Sequence, residues 1–114
     1  MYSKELIKGT LRPLVLKLLQ EKGRMYGYEI AQEVKNRSDG NMLIKEGSLY
    51  PCLHALAEAG LVETETERVR GRIRKYYRLS EQGNAALPAF IAEIESFIAS
   101  LQSLLHLKPG THAI

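Results

Sequence analysis

The sequence predicts a mainly helical chain with one small β-hairpin, an α+β arrangement of single-domain size, and three observations carry that prediction. Apolar residues return at three- and four-residue steps in several segments, the period of a helix with one buried face. Two strand-like runs are separated by Arg70-Gly71, a two-residue joint suited to a hairpin. The 114 residues are 45% apolar and 25% charged, a globular balance that supplies a core and argues against wholesale disorder.

In chain order, Lys4 to Lys8, with Leu6 and Ile7, reads as a short helical arm. Leu11, Leu14, Val15, Leu18 and Leu19 then make an amphipathic helix that starts near Thr10, takes Pro13 in its first turn and stops at Gly23. Ile30, Ala31 and Val34 mark the inner face of a helix over about Gly27 to Arg37, which Ser38-Asp39-Gly40-Asn41 breaks. An apolar link, Met42-Leu43-Ile44, leads to a third helix. Its expected N-cap is Ser48, with Pro51 in the first turn, where a missing N–H is harmless. Leu49, Leu53 and Leu56 face the core, and Gly60 ends the helix.

The strands run from Leu61 to Val69 and from Arg72 to Leu79. With Arg70 and Gly71 as the turn, Val62 falls opposite Leu79 and Thr64 opposite Tyr77 on a face expected to be buried. The other face sets Glu63 against Arg78, Glu65 against Tyr76 and Glu67 against Arg74. Opposite charges facing each other this way contribute roughly 0.2 to 1 kcal/mol per pair. Ser80 caps a last helix with a bend expected at Pro88. Leu87, Ile94 and Leu101 step by seven along it; Phe90, Phe97 and Leu104 follow three later, and Ile91, Ile98 and Leu105 four later. That stripe is wider than so small a core needs, which makes these nine residues the candidate dimerisation face.

Net charge is +3, but its distribution says more. Arg68, Arg70, Arg72, Arg74, Lys75 and Arg78 lie within eleven acid-free residues, whereas Leu79 to Ile114 carries Glu81, Glu93 and Glu95 against Lys108 alone. One end of the chain is built to meet an anion. The single cysteine, Cys52, excludes an intrachain disulfide, and Cys and His show no ligand spacing, so no metal and no cofactor are expected. The apolar stretch 85–107 is interrupted by Glu93, Glu95, Ser96, Ser100, Gln102 and Ser103, which reads as too polar for a membrane span. The first residues lack the apolar run of a secretory signal, and the expected location is the cytoplasm.

Three helices, a hairpin with a basic tip and one further helix follow the order of a winged helix-turn-helix. In that fold the third helix enters a major groove, and tip arginines can reach a narrow minor groove. His54 points away from the core leucines, towards a base, a phosphate or solvent. Tyr26, Tyr28 and Tyr50 can bury their rings and offer hydroxyls to phosphates. Cys52 is either a small packed residue or, at a helix start, a redox-sensing thiol. An enzyme reading lacks a base near that thiol, a carboxylate pair and a glycine-rich phosphate loop.

Four segments also resemble one family in order: Tyr26-Gly27-Tyr28-Glu29-Ile30; Glu46-Gly47-Ser48-Leu49-Tyr50-Pro51-Cys52-Leu53-His54-Ala55-Leu56; Ala59-Gly60-Leu61-Val62; and Gly71-Arg72-Ile73-Arg74-Lys75-Tyr76-Tyr77-Arg78-Leu79-Ser80-Glu81-Gln82-Gly83. Together they resemble the PadR-type transcriptional regulators, in the short subfamily with one C-terminal helix. The resemblance implies a non-enzymatic, homodimeric and usually repressing regulator of double-stranded DNA with a pseudo-palindromic operator. It divides the chain into a DNA-binding domain at 1–79, a dimerisation helix at 80–107 and a frayed tail at 108–114. The candidate DNA contacts are Tyr26, Lys45, Ser48, Tyr50, Pro51, His54, Arg70, Arg72, Arg74, Lys75 and Tyr76. Some short members hold planar aromatic or cationic drugs between subunits by stacking on a tryptophan. This sequence has no tryptophan, so a small aromatic effector would depend on Phe90, Phe97 and the tyrosines. The alternative reading is a dimeric winged-helix module that binds a protein and no specific DNA.

Overall fold

The computed structural model describes residues 1–108, so the expected frayed tail lies, beyond Lys108, outside the described residues. The elements are α1 (Lys4–Lys8), α2 (Leu11–Lys22), β1 (Met25–Tyr26), α3 (Gly27–Arg37), α4 (Glu46–Glu58), β2 (Val62–Val69), β3 (Arg72–Leu79) and α5 (Glu81–Leu105). Helix α2 is the centre of the core. Val15, Leu16 and Leu19 are sealed there among Ile30 of α3, Leu53 and Leu56 of α4, and Leu87 of α5. Leu16, outside the expected stripe, is buried because helices and sheet cover α2 on several sides.

Three sequence expectations are corrected. Helix α4 begins at Glu46, with Lys45 as its N-cap, and not after Ser48. The amide N–H groups of Ser48 and Leu49 already donate to the Lys45 carbonyl, at 3.0 and 2.9 Å. Pro51 therefore sits inside the helix, where it deletes the bond that would reach back to the exposed Gly47. The hairpin also gains a third strand. β1 pairs antiparallel with β3, Met25 with Tyr77 and Tyr26 with Tyr76, giving the sheet order β1-β3-β2.

The hairpin register is the expected one, from Val62 opposite Leu79 to Val69 opposite Arg72. Burial of its inner face is confined to the base. Val62 and Tyr77 are buried and Leu79 is half-buried, but Thr64 is exposed, because the strands outrun the helices beneath them. Arg70 and Gly71 both take positive φ, 50° and 80°, as the tight turn requires.

Two polar clusters fix the body. Arg37 donates to Glu33 and to Glu21, each at 2.7 Å, tying α3 to α2 and holding both carboxyls below their usual pKa range. At the other end the Ser80 N–H donates to the Leu61 carbonyl at 3.1 Å. Its hydroxyl donates to the Gly60 carbonyl at 2.6 Å and accepts from the Gly83 N–H at 2.9 Å. A Cβ on Gly83 would lie 2.0 Å from the Leu61 carbonyl oxygen, so only glycine lets α5 start so close to the α4–β2 joint. Beyond Leu87 and the half-buried Phe90, Ile91 and Ile94, α5 leaves the body, and the molecule is 53 Å long but under 30 Å in its other two directions, 29 and 27 Å.

Candidate nucleic-acid interface

The sequence-predicted contact residues fall into two groups on different elements. Lys45, Ser48, Tyr50, Pro51 and His54 belong to α4 and its cap; Tyr26, Arg70, Arg72, Arg74, Lys75 and Tyr76 belong to the sheet. On α4, Leu49, Leu53 and Leu56 point inward, so Glu46, Gly47, Tyr50, Pro51, His54 and Glu58 form the exposed side. His54 Nε2 lies 3.1 Å from Glu58 Oε1. The Tyr50 ring packs over α3, where a Cβ on Gly27 would meet its hydroxyl at 2.6 Å. Glycine at 27 thus lets α4 lie close to α3 with the Tyr50 ring between them.

Cys52 is the seventh residue of α4, not in its first turn, so the expected help from the helix N-terminus is missing. It is half-buried, and burial pushes its thiol above the ordinary range against the opposing pull of Arg12. That environment suits a packed residue better than a redox sensor.

On the sheet, strand alternation makes two unlike faces. The face that continues from the core carries Thr64, Thr66, Ile73, Arg68 and Lys75 and has no acid. The Lys75 ammonium lies 5.7 Å from the Tyr77 ring centre. The opposite face holds a stack of rings and guanidiniums. Arg74 sits 4.1 Å over the Tyr26 ring, Tyr26 meets Tyr76 edge-on at 5.6 Å, and Arg24 sits 3.9 Å over Tyr76. Tyr28 lies parallel to Tyr26 at 6.4 Å, and its hydroxyl accepts from Gln32 at 2.7 Å.

The expected pairing of Glu67 with Arg74 is corrected here. Those residues are opposite in the ladder, but the Glu67 carboxylate bonds to Arg24, as does that of Glu65, at 3.2 Å. Arg74 stacks on the Tyr26 ring instead. Arg78 keeps its expected partner, Glu63, at 3.4 Å. Arg24 is the member of this cluster that sequence reasoning missed. Its role depends on β1, and a two-residue strand has no periodicity to read. Arg70 and Arg72 stand exposed at the tip, as expected.

Residues 15–89 match the family described as transcriptional regulator PadR-like. The chain is 38% identical over 94 residues to an uncharacterized protein of Lysinibacillus sphaericus, covering 82% of this chain and 85% of that one. It is 46% identical over 44 residues to a transcriptional regulator of Mycobacterium tuberculosis, 39% of this chain and 41% of that one. Among solved structures, a PadR family transcriptional regulator from Eggerthella lenta is similar with a TM-score of 0.76 and 30% identity, over 91% of this chain and 88% of that chain. Those matches span the helices, the hairpin and the start of α5, and the chain belongs to the PadR-like family of DNA-binding transcriptional regulators, which are not enzymes.

Proposed function

We propose that the protein is a homodimeric repressor that holds a pseudo-palindromic operator and releases it on binding an effector. The carrying observation is α5. Of its 25 residues only Gly83 and Leu87 are buried, while Phe97, Ile98, Leu104 and Leu105 are exposed by 61, 48, 76 and 60%. By length and composition alone this helix is apolar enough to cross a bilayer, which corrects the expectation that the stretch is too polar for a span. Glu93 and Glu95 in its middle, and a basic DNA-binding body at its start, favour a second copy as the cover and the cytoplasm as the place. Phe90, Ile91, Ile94 and Leu101 complete the seam; Leu87, expected in it as well, is sealed in this chain's own core and is not available to a second copy.

In this reading α4 enters the major groove with Tyr50, Pro51 and His54 foremost, the half-buried Ser48 to one side of them and Lys45 on the flanking backbone, and the tip arginines reach the minor groove. Lys75, Arg74, Tyr26 and Tyr76 lie behind the tip, on the two faces of the wing. Two-fold symmetry then sets half-sites about 10 bp apart, or a multiple of that.

Selection of sites from random duplex DNA, with sedimentation of the free protein, tests the proposal. A dimer at micromolar concentration and recovery of inverted repeats are expected. A stable monomer, or no sequence preference over competitor DNA, would overturn it.

A further inference from the structure

The outer face of the wing poses an electrostatic problem that the hairpin alone does not solve. Alternation places Glu63, Glu65 and Glu67 on that face together with Arg72, Arg74 and Arg78, so three acids stand beside three cations. All lie within two or three residues of the tip or of one another, comparable with the ~8 Å over which salt screens charge. Left free, these carboxylates would oppose the approach of a phosphate backbone.

A cation from outside the hairpin is placed among them. Arg24 follows Gly23, whose φ of 85° turns the chain out of α2, and enters the sheet beside β1. Its Nη1 bonds Glu65 Oε1 at 3.2 Å, its Nη2 bonds Glu67, and its guanidinium carbon lies 3.9 Å from the centre of the Tyr76 ring. The two glutamates are two residues apart, on one face of β2, a spacing that suits a planar guanidinium fork, one amino group to each carboxylate, better than a point-like ammonium. Glu67 and Glu65 in turn keep Arg24 firmly charged. Arg24 and both carboxylates are roughly two-fifths exposed, and ion pairs so wetted contribute little to stability. Folding alone therefore gives a weak reason for the arrangement.

We propose that Arg24 is a positioning residue for DNA binding, which draws Glu65 and Glu67 down onto the sheet so that the wing presents net positive charge and Arg74 is left free of them. The proposal rests on the reading that the wing meets DNA.

A thermodynamic cycle on a selected operator duplex tests it, with binding followed by fluorescence anisotropy at ~0.1 M salt. Arg24→Gln should weaken binding about tenfold when both glutamates are present, and less than about threefold in a Glu65→Gln, Glu67→Gln background. Arg24→Lys, which keeps the charge but not the fork, should lie between wild type and Arg24→Gln. The thermal midpoint of each variant should stay within about 2 °C of wild type. Equal losses in the two backgrounds, the result if Arg24 merely adds charge or touches DNA itself, would overturn the proposal. So would a wild-type affinity in Arg24→Gln. Arg70→Ala and Arg72→Ala serve as controls. If they weaken binding while the cycle shows no coupling, the proposal alone falls; if they too are silent, the wing does not meet DNA and both readings fall.

Discussion

The Ser80 hydroxyl both donates, to the Gly60 carbonyl, and accepts, from the Gly83 N–H, within a joint where three chain segments meet. Alanine there removes a helix cap and leaves a carbonyl without its donor. Ser80→Ala should therefore lower stability by about 2 kcal/mol, read as a shift of the urea midpoint with an unchanged slope. Gly83→Ala should be worse, about 3 kcal/mol, because the added methyl meets backbone and not a movable side chain. Arg70 presents the opposite case, a residue that fits its position poorly. At φ 50° it occupies a conformation that asparagine or glycine adopts more readily. Arg70→Asn should stabilise the hairpin by about 0.5 kcal/mol and still weaken operator binding, a divergence that thermal melts and binding isotherms on one sample would reveal. Gain or loss in both together would show that the tip was chosen for its fold.

Among the elements, α4 carries the clearest internal conflict. Pro51, six residues into the helix, removes one backbone bond and disfavours the helical conformation of Tyr50 before it. Pro51→Ala should raise stability by about 1 kcal/mol or more, the restored bond outweighing the greater freedom of the unfolded chain. Chemical denaturation settles the sign, and a loss of stability would mean that the ring packs on something essential. The same residue explains why the helix start was misread from sequence: a proline is expected in a first turn, and Ser48 looked like its cap. The hairpin was legible to the residue because Gly71 fixes the turn, and the turn fixes every pair from Val62–Leu79 onward. What the glutamates do was not legible. Ladder partners can be counted from sequence, but Glu67 turns sideways to Arg24, which reaches it only because β1 adds to the sheet edge. Leu16 escaped the helical pattern for a similar reason, since a one-face pattern cannot describe a helix surrounded by its neighbours.

For the whole molecule, α5 decides the behaviour. Its first third packs on α2 and the rest projects with Phe97 and Leu104 bare. A second copy that covers them binds the folded state and not the unfolded one, so the thermal midpoint of the wild-type protein should rise with concentration. Phe97→Asp should abolish that dependence by placing a charge in the seam, leaving the midpoint at the monomer's value at every concentration. A midpoint that ignores concentration in the wild type would show that the stripe has another cover.

Strand β3 ends at Leu79 and α5 begins at Glu81, with the buried Ser80 alone between them. With a single residue of link, the direction of the arm is tied to that of the wing. From Leu87 to Leu105 the arm measures about 27 Å, and a tilt of roughly ten degrees would carry one end through about 5 Å relative to the other. Successive base pairs are only about 3.4 Å apart along a duplex. A paired molecule of this construction would act as a caliper, in which a thin wedge between the arms is enough to set the two tips out of step with the grooves they had spanned.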